Sequence, residues 1–393
     1  MTNQHPTPSP NHPLRVCYFG TYRAGYVRNT KMIAGLRSQG IEVIECHSTL
    51  WHGIEDRVQA TSGGWRNPKF WLRLLRCYIN LLKRYRNVGE YDVMVVGYPG
   101  QLDVFLARWL SKLRRKPLVW DVYMSIYIVA RERNLEERSA WTVNMLRRIE
   151  AEAIKMPDLL IQDTQEYVDW WVEKFHANPQ RFRLIPIGAD NQIFKPIQPP
   201  KNPTSDFLVT YYGTFIPNHG VWTIIETARL LKNHPDIHFE LIGQGPDQPM
   251  AVRKAAEYEL ENVQFIEWLD KPALVRRAGY SDLHLGVFGT TTQSLMTIHN
   301  KIYEGLAMKL VVVTGDSPTM RRTFVHKKHL FLVERANPGA LAEAILFLKS
   351  EPVLRQQIAE AGYSYFQSNF TVEKLGKAFS DDLREAVNQI SPA

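Results

Sequence analysis

The chain has 393 residues, of which 45% are apolar and 22% charged, and its formal net charge is +8. That length carries two domains of ordinary size, and no run approaches the ~20 apolar residues that a membrane-crossing helix needs. Cys17, Cys46 and Cys77 fit no metal or redox spacing, which excludes a disulfide framework and points to a reducing compartment. The surplus of positive charge admits an anionic partner: nucleic acid, a membrane surface or a phosphorylated substrate.

Residues 1–13, rich in Pro, Asn, His and Ser, lack the apolar core of a signal peptide and read as a disordered tail. Residues 14–20 read as a strand ending in a Gly turn, and 28–38 as a helix with Met32, Ile33 and Leu36 inward. A second strand falls at 41–45, a polar loop at 51–67, and a long amphipathic helix at 68–86. Strands at 92–96 and 117–120 follow, with a helix at 104–113 between them; the second delivers Asp121 to its carboxyl end. A charged helix covers 139–153, then strands at 159–162 and 183–186 enclose another helix. Strand–helix alternation at this spacing means a parallel sheet covered on both faces.

Four prolines within 196–206 mark an interdomain linker. The pattern then restarts: strands at 207–212, 238–242, 263–266, 283–287 and 310–314, with helices between, and a last amphipathic helix at 371–390. The expected organisation is a first domain at 14–197, a second at 198–368 and a final helix at 369–393, with packing back on the first domain left open. The fold class is α/β, two Rossmann-like domains with parallel sheets facing across a cleft, and ligands in such sheets bind outside the carboxyl ends of the strands. Those ends carry Gly20, Gly97, Asp121, Gly213, Gly243 and the loop 288–299.

The most informative stretch is 297–316. Its first half reads as a helix with Ile302 and Leu306 inward, and Thr297 or Asn300 is placed to cap its start. The second half is a buried β-branched strand. A helix N-terminus offers unpaired N–H groups and partial positive charge, which suit phosphate. Lys301 in the first turn adds a full charge. Glu304, one turn on, is able to accept hydrogen bonds from the two hydroxyls of a ribose. Together they would hold a nucleoside diphosphate; an ordinary surface Lys–Glu pair has the same spacing.

With these pieces in order, the chain resembles a GT-B glycosyltransferase, and within that fold family 4 of the retaining enzymes. The resemblance rests on residues 185–190 with Phe194 and Pro196, on 209–215 leading to Gly220, on Gly243-Gln244-Gly245-Pro246, on 262–265, on Ser281-Asp282, and on Lys301, Glu304 and Ala307 before a buried strand. It implies a nucleotide-diphosphate sugar as donor substrate, with no separate cofactor, and a polysaccharide or lipid-linked glycan as acceptor. It implies that Glu304 binds the donor ribose, that Gly213 and Thr214 pass close to the diphosphate, and that 288–300, with His299 and Asn300, meets the diphosphate and sugar. Trp268 falls in the loop that flanks the base. Asp121 stands near the place where many members put a His or Asp beside the reacting sugar; a strand-end Asp capping the next turn is the plainer reading. Gly20, in the first strand's turn, is a further donor-binding candidate.

The chain departs from that family at several points. Met296 stands where the first signature glutamate belongs, and the cations of the turn after Gly213 are missing, with Thr214 or Phe215 and His219 in that stretch. Lys301 is then the first candidate to meet the diphosphate, and Arg28 the second. Transfer from a diphosphate leaving group passes through an oxocarbenium-like state, so the site needs donors and cations at the diphosphate more than a strong base. No Asp-x-Asp pair stands at a strand end, so no metal is expected; retention of configuration is implied by the resemblance alone.

The helix at 66–86 has an apolar stripe of Phe70, Trp71, Leu74, Leu75, Tyr78, Ile79 and Leu82, bordered by Lys69, Arg73, Arg76, Lys83, Arg84 and Arg86. The stripe fits core packing; the charge fits a helix on anionic lipid. Nucleic acid is not expected, because no binding motif accompanies the charge. The expected place is the cytoplasm, with peripheral contact at the membrane's cytoplasmic face left open. Two other readings stay open: a sugar-nucleotide-binding subunit with a decayed donor site, and a GT-B sugar-nucleotide epimerase.

Overall fold

The computed structural model describes residues 13–50, 68–197 and 206–390. The expected tail up to residue 12, the polar loop at 51–67 and the linker residues 198–205 lie outside the described residues. The chain divides into two compact units, 1–186 with 372–393, and 187–371. Residues 187–197, which the sequence reading gave to the first domain, therefore belong to the second unit.

The first unit runs β1 (Arg15–Gly20), α1 (Val27–Ser38), β2 (Glu42–His47), α2 (Pro68–Arg86), β3 (Val93–Val96), α3 (Asp103–Leu113), β4 (Leu118–Asp121), α4 (Ile126–Glu132), α5 (Leu135–Ala153), β5 (Leu159–Gln162), α6 (Gln165–Phe175) and β6 (Phe182–Leu184). The six strands pair in parallel in the order β2-β1-β3-β4-β5-β6. β3 and β4 are buried along their whole length. A strand covered on both faces reads as an unbroken apolar run rather than an alternating one. The C-terminal helix (Val372–Ile390) lies on α1, and Leu375, Phe379, Leu383 and Ala386 enter the same core as Met32, Ile33 and Leu36. The two helices touch backbone to backbone: a Cβ on Gly35 would lie 2.9 Å from the Cα of Gly376.

The stripe expected on α2 overlaps the real one at Phe70 and Leu74 but is too wide on one side. Phe70, Leu74, Cys77, Leu81 and Tyr85 face inward, whereas Trp71, Leu75 and Ile79 are exposed. The inward set repeats at three and four residues, as a core-facing helix must; Trp71, Leu75 and Ile79 follow the same spacing on the next face round, so apolarity alone did not separate the two.

The second unit runs β7 (Phe207–Tyr212), α7 (Val221–Leu230), β8 (Ile237–Ile242), α8 (Gln248–Glu257), β9 (Val263–Ile266), α9 (Lys271–Ala278), β10 (Leu283–Leu285), α10 (Thr292–Met296), α11 (Asn300–Ala307), β11 (Val312–Gly315), α12 (Pro318–Thr323), β12 (Phe331–Val333), α13 (Pro338–Ser350) and α14 (Pro352–Asn369). Its sheet is parallel, in the order β12-β11-β10-β7-β8-β9. β7 and β10, at its middle, place Gly213 and the loop 286–299 at neighbouring carboxyl ends.

Candidate functional site

The site with most chemistry lies in the second unit, where α11 packs on the sheet. Neither Thr297 nor Asn300 caps that helix: Thr297 ends α10, and His299, with extended backbone, takes the cap position without a side-chain bond of its own. Asn300 is already helical, so its side chain is past the position from which a cap reaches back. The helix sits so close to β10 and β11 that every residue from Lys301 to Ala307 is buried. Its first turn is anchored to β10 by a contact between His284 Nε2 and the Lys301 carbonyl at 3.1 Å. Lys301 and Glu304 are therefore not a surface pair: they are 5% and 9% exposed.

Burial gives each of them specific neighbours. Lys301 Nζ stands 4.1 Å from the centre of the Tyr211 ring and 3.2 Å from His219 Nδ1. It also fills the space beside Gly213, where a Cβ would lie 2.6 Å from Nζ. Gly213 has φ +143, a conformation that side chains other than glycine's avoid. The turn and the lysine thus require glycine for two separate reasons. Glu304 Oε2 accepts a hydrogen bond from the Tyr212 hydroxyl at 2.9 Å.

Burial pushes the Lys301 ammonium well below its ordinary pKa, and Glu304 opposes that shift. His219 is held well below its ordinary value by burial, then by Lys301 and His299. His299 is pushed down to about 3 by burial, then by Lys301 and Arg335. His219 Nδ1 also lies 2.6 Å from the Thr214 carbonyl and 2.9 Å from the Tyr211 hydroxyl. One nitrogen between an amine, a hydroxyl and a carbonyl cannot donate and accept at once. A proton on Nδ1 satisfies Thr214 and leaves the lysine no lone pair to bind. An anion arriving here would restore the charge on Lys301, since opposite charge favours the ionised form.

Arg335 was not foreseen. Its Nε donates to the Asp316 carbonyl at 2.7 Å, and Nη1 to Gly289 O at 2.7 Å and Ser294 Oγ at 3.0 Å. It thereby fixes the loop that leads into α11, while its Nη2 is buried without a hydrogen-bond partner. No local signal marks it, because it reaches the site from beyond β12. Trp268 stands 61% exposed in the turn after β9. Met296, in place of the expected glutamate, is buried.

The first unit gathers the other expected residues in a different way. Arg28 and Asp121 are 1% and 0% exposed and bind each other, Nε to Oδ2 at 2.9 Å and Nη2 to Oδ1 at 3.0 Å. Arg28 Nη1 also donates to the carbonyls of Ile185 and Pro186, at 2.8 and 2.9 Å. The guanidinium is therefore engaged on three sides, which corrects its place as a second cation for a diphosphate. Asp121 faces Arg28 and not an open pocket. The reason is the end of β4, which points the carboxylate at α1 rather than outward. Gly20 has a structural part as well: a Cβ there would crowd Asp103 Oδ2 at 2.6 Å, and that carboxylate binds Thr21 N at 2.6 Å.

Beside the pair is a residue the sequence reading missed. Asp163, just past β5, is 5% exposed, and neither carboxylate oxygen has a hydrogen bond of proper geometry. Arg28 eases its charge most, the N–H groups of Asp163 itself and of Thr164 ease it less, and Asp121 opposes them. Burial nevertheless pushes it up to about 7. An aspartate at the end of an apolar run, as at Asp121, was the available signal. Tyr123, at the end of the neighbouring strand, has φ +54 and packs edge-on to Tyr98 at 5.1 Å.

Residues 193–365 match the family described as glycosyl transferases group 1. The lipopolysaccharide core biosynthesis glycosyltransferase LpsD of Rhizobium meliloti (strain 1021) is 21% identical over 182 residues, 46% of this chain and 50% of its own length. The chain spans about half the length of the curated relatives it matches. Among solved structures, sucrose-phosphate synthase from Thermosynechococcus elongatus superposes with a TM-score of 0.73 at 13% identity, covering 95% of this chain and 99% of that one. HepE of Anabaena, in complex with UDP-glucose, superposes with a TM-score of 0.66 at 14% identity, over 95% and 99% of the two chains. The chain has the GT-B fold of glycosyltransferases, and the glycosyl transferases group 1 match falls on the unit that carries Lys301 and Glu304.

Proposed function

We propose that this protein is a retaining glycosyltransferase of family 4 that moves a sugar from a nucleotide-diphosphate donor to a polysaccharide or lipid-linked glycan. The observation that carries the reading is the start of α11: a buried lysine against the Gly213 turn and a glutamate one turn on, inside the region that matches the group 1 family. The solved relative bound to UDP-glucose and the lipopolysaccharide relative support the substrate classes. In this reading the diphosphate meets the N–H groups at the start of α11 and the Lys301 ammonium. The leaving oxygen gains negative charge as the anomeric carbon gains positive charge, and fixed donors stabilise that change without reorganising. Glu304 holds the ribose, kept in place by Tyr212. No metal is assigned a part, and the protein works in the cytoplasm with peripheral contact at the membrane through the basic helix.

The test is turnover on a panel of nucleotide sugars, reading released nucleotide diphosphate with and without lipid extract. Release that depends on an acceptor supports the reading. Binding without release favours a second reading, a sugar-nucleotide-binding subunit, which the buried Met296 at the first glutamate's position motivates. No binding of any nucleotide sugar would overturn both.

A further inference from the structure

α2 and α3 lie side by side on one face of the first sheet. The Tyr85 hydroxyl reaches the Leu110 carbonyl at 3.5 Å, and the Arg114 guanidinium, just past α3, covers the Tyr85 ring at 4.5 Å. Nearer the helix starts, the Tyr78 hydroxyl is pushed to a higher pKa by burial and then by the nearby carboxylate of the buried Asp103. A helix turns about 100° per residue, so these contacts orient both helices. On α2 the flank toward α3 carries Tyr78, Leu82, Trp71 and Leu75; the outward line carries Leu72 and Ile79. The far flank carries Lys69, Arg73, Arg76 and Lys83.

α3 has its own outward row. Phe105, Trp109 and Leu113 recur every four residues and stand outside the core. Together with Trp71, Leu72, Leu75 and Ile79 they make seven large apolar side chains, each 38% to 64% exposed, on two neighbouring helices. Scattered exposed apolar residues are ordinary, but a contiguous set is a contact surface. Its charge is of one sign. Between Pro68 and Arg86 no acidic residue occurs, and the single acid of α3, Asp103, is buried. Lys112 in the last turn of α3, and Arg115 and Lys116 just past it, continue the basic border.

We infer that α2 and α3 form one lipid-binding face, in which Phe105, Trp109 and Leu113 enter an anionic leaflet beside α2 while the lysines and arginines meet its headgroups. The occupant is a bilayer because apolar rows project outward from two neighbouring helices whose own exposed charges are all basic. Apolar burial and attraction to anionic headgroups add in such a contact. This extends the peripheral contact proposed for the basic helix and does not depend on glycosyl transfer.

Flotation of the full chain separates the possibilities. The vesicles are phosphatidylglycerol with phosphatidylcholine, or phosphatidylcholine alone, at low and high salt. The chain is expected to float with the anionic vesicles at low salt and to release at high salt, as screened attraction requires. Trp109→Ser with Leu113→Ser alters exposed side chains only, so an unchanged melting curve checks folding. That variant is expected to lose roughly tenfold or more in partitioning, from the lost apolar burial. If it floats undiminished while Arg73→Gln with Arg76→Gln does not, α3 takes no part and the inference fails, although contact through α2 stands. If the parent never floats, both fail. Equal flotation on neutral vesicles, or a dimer in solution that Trp109→Ser dissociates, would also overturn the inference, the latter by naming a second copy as the occupant.

Discussion

Both sheets end in a buried cation near a buried acid, and the two pairs differ in kind. In the first unit Arg28 and Asp121 close on each other with two hydrogen bonds, and two carbonyls take the remaining side. In the second, Lys301 rests on the Tyr211 ring and beside a histidine, while the Tyr212 hydroxyl binds Glu304. A guanidinium with its carboxylate is complete, and a ligand there would first have to break it. An ammonium on a ring and a neutral imidazole gains by meeting an anion. The same ingredients at the same end of a parallel sheet thus make a strut in one unit and a receptive site in the other. Geometry, not residue type, decides which.

The contrast breaks most sharply at the strut. Asp121→Ala leaves the Arg28 charge buried and unpaired, which should cost about 3–5 kcal/mol of stability. Chemical denaturation should show the loss, with nucleotide affinity in the surviving folded fraction unchanged. A folded, fully stable variant that has lost only turnover would make Asp121 part of the reaction instead. Glu304→Ala is the counterpart in the second unit. Losing hydrogen bonds to a charged acceptor should weaken nucleotide-sugar binding by about 2–4 kcal/mol. Calorimetry reads this directly, and an unchanged affinity in a folded variant would remove Glu304 from the site.

The fold was legible because covered parallel strands are apolar along their length, and β3, β4, β5 and β11 announce themselves. The short helices α4, α10 and α12 were not, since five to seven residues carry too little periodicity. At the site, the spacing of Lys301 and Glu304 was readable, but their burial was not, because it comes from α11 settling on β10 and β11. Arg28 and Asp121 are 93 residues apart, and nothing local in either predicts that they will meet. Arg335 and Asp163 were missed for the same reason: each is given its part by groups far along the chain.

Lys301→Met sharpens the contrast with two effects of opposite sign. The apolar side chain relieves a buried amine, so the free protein should melt no lower than the parent. Nucleotide-sugar affinity should still fall by about 1.5–3 kcal/mol, the usual loss for a hydrogen bond involving a charged group. A variant that melts lower and binds as well as the parent would make Lys301 a strut like Arg28.

The smallest effect concerns Asp163, which is buried beside the strut without sharing its bonds. Its carboxyl group is pushed up to about 7 from an ordinary value near 3.8. The folded state therefore holds this proton over a range in which the unfolded chain has released it. Its contribution to stability is complete below about pH 4 and is lost as pH rises toward about 7. Asp163→Asn cannot titrate, so it should escape that loss. Relative to the parent, the variant should gain about 1–2 kcal/mol on going from about pH 4 to about pH 8, a conservative share of what such a shift carries. Urea denaturation at the two pH values measures the difference. A gap that stays constant with pH would mean that Asp163 is charged throughout and that Arg28, although engaged by Asp121, serves both acids.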